Sequence, residues 1–254
     1  MSRVLILGGT TEARGLAERL AKRADLEVVL SLAGRTMSPA SLPVPVRRGG
    51  FGGSAGLAHY LVEQRIDAMV DATHPYAKVM SANAAAAART SGIDFVALRR
   101  PPWLPISGDR WDEAPDVGEA VRKLGDRPRR VFVALGRSEL APFANAPQHF
   151  YLIRSVDPVD PPLPLPHAAY LRARGPFREA DDRVLLLDHA IDIVVAKNSG
   201  GAASYGKIAA ARGLGIPVIM LRRPEAPEAT AVETVDEAIV WLGHALTSAA
   251  ARGV

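Results

Sequence analysis

The chain has no cysteine. That single absence removes disulfides, thiolate zinc sites, iron–sulfur ligation and a cysteine nucleophile, and it fits a reducing compartment, so a cytoplasmic location is expected. Aromatic residues are sparse, at 6%. The net charge of +4 is spread through doublets such as Arg47-Arg48, Arg99-Arg100, Arg129-Arg130 and Arg222-Arg223. Nucleic-acid binders gather such charge in one stripe with aromatics, so these arginines suggest solvated surface or a small anionic ligand, and no nucleic-acid partner. The first apolar run, Val4 to Leu7, is far shorter than the ~20 residues of a membrane span, and the order of a signal peptide is missing; no membrane association is expected. The 6 histidines, at 59, 74, 149, 167, 189 and 244, include no H-x-x-x-H pair, so no metal site is expected. Tyr76 and Lys78 are two apart, as are Tyr205 and Lys207, which leaves the chain without the Tyr-x-x-x-Lys pair of short-chain dehydrogenases.

What is present reads as a folded α/β chain. Hydrophobic residues make up 48% and charged residues 23% of 254, enough for two modest cores. Strands are expected at Val4–Leu7, Leu26–Leu32, Val44–Arg47, Asp67–Ala72 and Asp94–Leu98, with helices at Ala13–Arg23, Ser54–Glu63 and Ala77–Thr90 between them. That alternation implies a parallel sheet with right-handed crossovers. Residues 99–115 carry prolines at 101, 102, 105 and 115 and read as a linker between an N-terminal lobe, 1–98, and a C-terminal lobe, 116–254. In the second lobe Val117–Leu124, Arg178–Asp188, Ala203–Arg212 and Asp236–Ser248 read as helices. Arg130–Leu135, Gln148–Ile153, Ile191–Ala196 and Ile216–Leu221 read as strands, Phe150–Ile153 and Val184–Leu187 fit either state, and Pro158–Pro166 is too rich in proline for both.

Gly8, Gly9 and Thr10 stand between the first strand and its helix. Backbone N–H groups there can approach a phosphate at the positive end of the helix dipole. Glycines at 8, 9 and 15 match the dinucleotide fingerprint G-x-G-x-x-G only in part, and a glycine-containing turn without a ligand would look the same. The second strand ends in Ser31-Leu32-Ala33-Gly34-Arg35-Thr36, with no carboxylate to hold a ribose 2′-hydroxyl. An arginine and hydroxyls suit a 2′-phosphate, so NADPH is expected over NADH. Three more segments follow strands and precede helices, where ligands of open sheets collect: Arg48 to Gly53, Asp71 to Ala77 and Lys197 to Gly201.

Two motifs mislead. Gly201-Ala202-Ala203-Ser204-Tyr205-Gly206-Lys207 imitates a phosphate loop, but Ile208 stands where Ser or Thr would hold magnesium. Gly52-Gly53-Ser54-Ala55-Gly56 spells the hydrolase elbow after a weak strand, and a glycine-dense loop matches that pattern by chance.

Taken in order, Leu5 to Glu12, Gly49 to Gly53 with Gly56-Leu57, Asp71-Ala72-Thr73-His74-Pro75-Tyr76-Ala77, Lys197-Asn198-Ser199-Gly200-Gly201 with Lys207, and Leu214 to Val218 resemble the precorrin-6A and cobalt-precorrin-6A reductases of cobalamin biosynthesis. The resemblance runs nearly the whole chain; its most specific parts are Thr-His-Pro-Tyr-Ala and Asn-Ser-Gly-Gly. It implies two Rossmann-like parallel-sheet lobes with an interlobe cleft, and hydride transfer from NADPH to a carbon–carbon double bond of an anionic tetrapyrrole-derived macrocycle. Neighbouring enzymes of the corrin pathway are candidate partners. The cofactor-binding set is then Gly8, Gly9, Thr10, Thr11, Glu12, Ser31, Gly34, Arg35, Thr36, Gly50 and Thr73. His74, Tyr76, Asn198, Ser199, Gly200, Gly201 and Lys207 form the substrate-binding set. His74, Tyr76 and Lys207 are candidate proton donors, as are water and a substrate carboxyl. Another NADPH-dependent reductase and a non-catalytic dinucleotide-binding sensor are the competing readings.

Overall fold

The computed structural model describes residues 1–34 and 42–252, so Arg35 and Thr36 lie outside the described residues. The chain divides into two compact units, one made of Met1–Pro101 and Pro224–Val254, the other of Pro102–Arg223.

In the first unit the elements run β1 (Ser2–Leu7), α1 (Thr11–Leu20), β2 (Leu26–Leu32), β3 (Val46–Arg48), α2 (Gly53–Glu63), β4 (Ala68–Asp71), α3 (Lys78–Ser91) and β5 (Asp94–Leu98). Strand β1 explains the layering. Its uninterrupted run Val4 to Leu7 is buried throughout, as a parallel strand covered on both faces requires. Val4 and Ile6 face the core that holds Leu16 and Leu20 of α1, whereas Leu5 and Leu7 face Leu57 and Leu61 of α2 and Ala84 and Ala87 of α3.

The second unit contains β6 (Trp111–Ala114), α4 (Val117–Leu124), β7 (Arg130–Ala134), β8 (Phe150–Ser155), β9 (Ala168–Arg172), α5 (Glu179–Asp188), β10 (Ile193–Lys197), α6 (Gly206–Leu214) and β11 (Val218–Leu221). The chain then adds β12 (Ala231–Val232) and α7 (Val235–Arg252) to the first unit. The two sheets have the orders β12-β5-β4-β1-β2-β3 and β6-β11-β10-β7-β8-β9, and every pairing is parallel. Each order reverses once, between β1 and β4 in the first sheet and between β7 and β10 in the second. In open α/β sheets that reversal opens a ligand crevice at the carboxyl ends of the strands.

Two boundaries differ from those expected. Residues 224–254 join the first unit rather than the second, because β12 pairs with β5 through Ala231–Ala97 and Val232–Leu98, and Ala238 and Leu242 of α7 enter the core formed by Val70, Val96 and Leu98. Helix α7 packs on β4, β5 and α1, covering the part of that sheet face that α1 leaves bare. The expected linker 99–115 also contains a strand. β6 pairs with β11, and its sequence Trp-Asp-Glu-Ala buries only its last residue, as an edge strand does, so no apolar run marks it. Among the described residues, Val184–Leu187 is helical and Phe150–Ile153 is a strand. Ser54 lies within the first turn of α2, not on a strand-to-helix elbow. No helix among the described residues is long and apolar enough to cross a membrane.

Candidate functional site

The first sheet's reversal is built from the turn after β1 and the loop after β4. The Thr10 hydroxyl does two things at once: it accepts the Ala13 N–H at 3.1 Å, capping α1, and donates to the Ala72 carbonyl at 2.8 Å. A hydroxyl has the lone pairs and the proton for both, so Thr10 ties the two loops together. Gly8 donates its N–H to the buried Ser31 through the Ser31 carbonyl at 2.9 Å. Gly9 has φ +126° and nothing within 4 Å of where a Cβ would stand. That open backbone at a capped helix start fits the pyrophosphate of a dinucleotide. Glu12 in the first turn of α1 favours the helix dipole but would repel a phosphate; its ion pair with Arg100 offsets that charge, and both side chains are largely buried. The Thr11 hydroxyl bonds Glu12 at 3.1 Å.

Gly34 stands beside the next loop: the Gly49 N–H donates to the Leu32 carbonyl at 3.0 Å, and a Cβ on Gly34 would meet the Gly49 nitrogen at 3.8 Å. Arg47 shapes that loop. Its guanidinium donates to the carbonyls of Gly49 at 2.7 Å and Gly50 at 2.8 Å and lies 3.7 Å above the Phe51 ring. In the sequence Arg47 is one of many dispersed arginines. Gly56 completes the packing, because an added Cβ would stand 1.8 Å from the Phe51 oxygen and 2.9 Å from its carbonyl carbon. Overpacking of this kind costs about 1–3 kcal/mol. Gly56→Ala is therefore expected to lower the thermal midpoint by at least about 4 °C, whereas Gly243→Ala, with nothing within 4 Å of its new Cβ, should melt with or slightly above wild type. Coincident melting of Gly56→Ala and wild type would show that the loop yields freely.

After β4, the buried Asp71 accepts both the N–H and the hydroxyl of Thr73 on Oδ1, at 3.1 and 2.7 Å. The Thr73 hydroxyl also lies 3.3 Å from Ser81. His74 Nδ1 accepts the Tyr76 N–H at 3.3 Å, and the two rings sit 5.6 Å apart. With Nδ1 accepting, the neutral imidazole carries its proton on Nε2.

The second sheet's reversal has different equipment. β7 is followed by short 3-10 turns at Arg137–Glu139 and Ala141–Asn145 rather than by a long helix, so no helix start cradles a phosphate there. Glu139 instead pairs with Lys197 at the end of β10 and accepts the Gly136 N–H at 3.2 Å. The Asn198 side chain spends its amide on Trp103, accepting the Trp103 N–H and donating to the Trp103 carbonyl, both at 2.8 Å. Trp103 Nε1 donates to Gly201 at 3.2 Å. Ser199 is buried, and so is Gly200.

Lys207 is also buried, at 4% exposure, and its ammonium donates to the Ser204 carbonyl at 2.5 Å while lying 5.2 Å above the Trp103 ring. Beside it runs the buried Arg154–Asp182 ion pair. Burial pushes Lys207 down to about 7, with Arg154 adding to the shift and Asp182 opposing it. An unfolded chain keeps this lysine protonated up to its ordinary 10.5. Between about pH 7 and that value the unfolded state thus binds more protons than the folded one, and stability rises with pH across the window. Wild type should gain thermal midpoint relative to Lys207→Met between about pH 7 and about pH 9; parallel curves would show that the lysine stays charged.

The first unit therefore gathers Gly8 to Glu12, Ser31, Gly34, Gly50, Thr73, His74 and Tyr76 along one sheet edge. The second gathers Asn198 to Gly201 and Lys207 along another. Arg47, Arg100, Trp103, Glu139 and the Arg154–Asp182 pair were missed. Arg47, Arg100 and Trp103 carried only arginine doublets and a tryptophan in a proline-rich stretch as signals; Glu139, Arg154 and Asp182 carried none.

The chain is similar to known proteins over nearly its full length. Residues 3–243 match the protein family described as Precorrin-6x reductase CbiJ/CobK. A relative from Sinorhizobium sp named Precorrin-6A reductase is 55% identical over 247 residues, covering 97% of this chain and 95% of its own. One of the same name from Rhodobacter capsulatus is 48% identical over 255 residues, with 100% of both chains covered. The solved structure titled CobK precorrin-6A reductase superposes with a TM-score of 0.93 at 48% identity, covering 96% of this chain and 97% of the other. With both parallel sheets and nearly the full length matched, this chain belongs to the precorrin-6x reductase family CbiJ/CobK.

Proposed function

We propose that this protein reduces one carbon–carbon double bond of precorrin-6A with NADPH, yielding precorrin-6B in corrin ring biosynthesis. The observation that carries the reading is the near full-length identity of 55% to a relative named Precorrin-6A reductase. Relatives of that name reach 44–55% identity, whereas those named Cobalt-precorrin-6A reductase reach 26–28%; this favours the metal-free macrocycle. NADPH binds the edge of the first sheet, its pyrophosphate at Gly8 to Thr10, and its 2′-phosphate near Ser31, Gly34, Arg35 and Thr36. Gly50 and Thr73 border the same edge. The absence of a carboxylate at the end of β2 supports NADPH over NADH. The macrocycle binds the edge loops of the second sheet.

Bound NADPH supplies the hydride. The protein must align donor and acceptor, exclude water and deliver one proton to the neighbouring carbon. We assign that proton to His74 acting as an imidazolium, the form in which a histidine gives up a proton and returns to neutral; the Tyr76 N–H orients the neutral ring through Nδ1. Tyr76 braces the ring. Lys207, buried and bonded to Ser204, holds the second unit's loop instead of donating.

The test is NADPH oxidation, followed by absorbance, with purified protein and precorrin-6A, metal-free and cobalt-loaded, and NADH in parallel. Turnover with a two-hydrogen mass gain, faster on the metal-free substrate and with NADPH, is expected. Tight NADPH binding without turnover would sink the reductase and leave a dinucleotide-binding sensor. Equal rates with NADH would sink the cofactor preference.

A further inference from the structure

We propose that Trp103 is a positioning residue for the reaction, holding the backbone of Ser199, Gly200 and Gly201 in the form that receives the macrocycle. The proposal rests on the substrate assignment above. Trp103 grips this loop at both ends. Its main chain forms two hydrogen bonds with the Asn198 side chain, both 2.8 Å long, and its indole N–H reaches the Gly201 carbonyl at 3.2 Å. The Asn198 carbonyl is held in turn by Arg223 Nε at 2.7 Å.

Beyond the loop, the indole ring meets Tyr205 edge-on at 5.3 Å between centroids, and the Lys207 ammonium stands 5.2 Å from its centre. Lys207 then bonds the Ser204 carbonyl. One side chain thus connects the loop after β10, the turn at Ala202–Ser204 and the start of α6.

Packing alone would not need the indole N–H. The ring already fits against the core of Phe132, Ile208 and Ala211, and a phenyl ring would serve there. The N–H is spent on the last residue of the loop that borders the β7–β10 reversal, where the geometry of open α/β sheets places ligands. Asn198 does the matching work at the other end. Its side-chain oxygen and its amide each make one of these bonds, so the asparagine also acts on the loop.

The test compares Trp103→Phe, which keeps an aromatic ring but loses the N–H, with Asn198→Asp, which accepts from the Trp103 N–H but cannot donate to its carbonyl. Each variant is melted, and its KM is measured separately for precorrin-6A and NADPH. Loss of one net hydrogen bond that orders the loop corresponds to roughly a fivefold rise in the precorrin-6A KM, with the NADPH KM within about twofold of wild type. A lower melting point with both KM values unchanged would make Trp103 a packing residue and overturn the proposal, as would an equal rise in both. Asn198→Asp decides the matter if Trp103→Phe fails to fold. Absence of turnover by wild type overturns the substrate assignment itself and this inference with it; turnover by wild type with unaltered variants overturns the inference alone.

Discussion

Arg154→Ala is expected to destabilise the second unit by about 3–5 kcal/mol, because it strands the Asp182 carboxylate in the interior without its partner. The side chains of both residues are buried, at 5% and 3% exposure, and the guanidinium also lies 3.7 Å above Phe177 and 4.9 Å from the Phe132 centroid. The loss therefore combines an uncompensated charge with lost packing. It should appear as a fall in the thermal midpoint of more than about 10 °C. The double replacement Arg154→Met with Asp182→Leu removes both charges, and buried pairs exchanged for apolar groups come out near neutral or better, so the double variant should recover most of the loss. If the single variant melts within about 4 °C of wild type, water or a rearranged Lys207 must be satisfying Asp182, and the pair contributes little. Lys207 makes the cycle informative. With Arg154 gone, its amine still lies beside Asp182, and its burial-lowered affinity for a proton should rise.

His74→Gln is expected to lower kcat about 10²-fold, the usual contribution of a positioned general acid, with the NADPH KM nearly unchanged. Glutamine places an N–H donor near the position of Nε2 but cannot release a proton, so it separates proton delivery from hydrogen bonding. His74→Asn tests the other nitrogen. Its side-chain oxygen can accept the Tyr76 N–H as Nδ1 does, preserving the loop while removing the acid, and it should lose turnover to the same degree. A loss below about tenfold for both variants would move the proton source to water or to a carboxyl of the substrate. A matching rise in the NADPH KM would instead mean that His74 shapes the edge on which Thr10 and Ala72 meet.

The strand–turn–helix at Gly8 to Thr11, the parallel alternation of strands and helices, the glycine loops after β3 and β10 and the polar loop after β4 were legible because each is written in adjacent residues. An apolar run of four, a capping threonine and a glycine pair carry their meaning locally. Site geometry was less legible. The Thr-His-Pro-Tyr-Ala segment reads as a polar loop, yet the choice between the two nitrogens of His74 depends on one N–H two residues along the chain. Asn198 and Lys207 stand in the substrate-binding set that the resemblance implies. The structure turns the amide of the first toward Trp103 and buries the second.

By itself, then, the sequence determined the class of fold, the dinucleotide-type turn and the family resemblance. The tertiary structure decided which unit owns the C-terminal segment, that Trp111 to Ala114 form an edge strand, and that the Asn198 side chain meets Trp103. The physical reason is separation along the chain. β12 finds β5, Arg100 finds Glu12 and Asn198 finds Trp103 across 88 or more positions in the two side-chain cases, and no local pattern of polarity records such a meeting. Hydrogen bonds and ion pairs between distant segments form only after the sheets have brought them together.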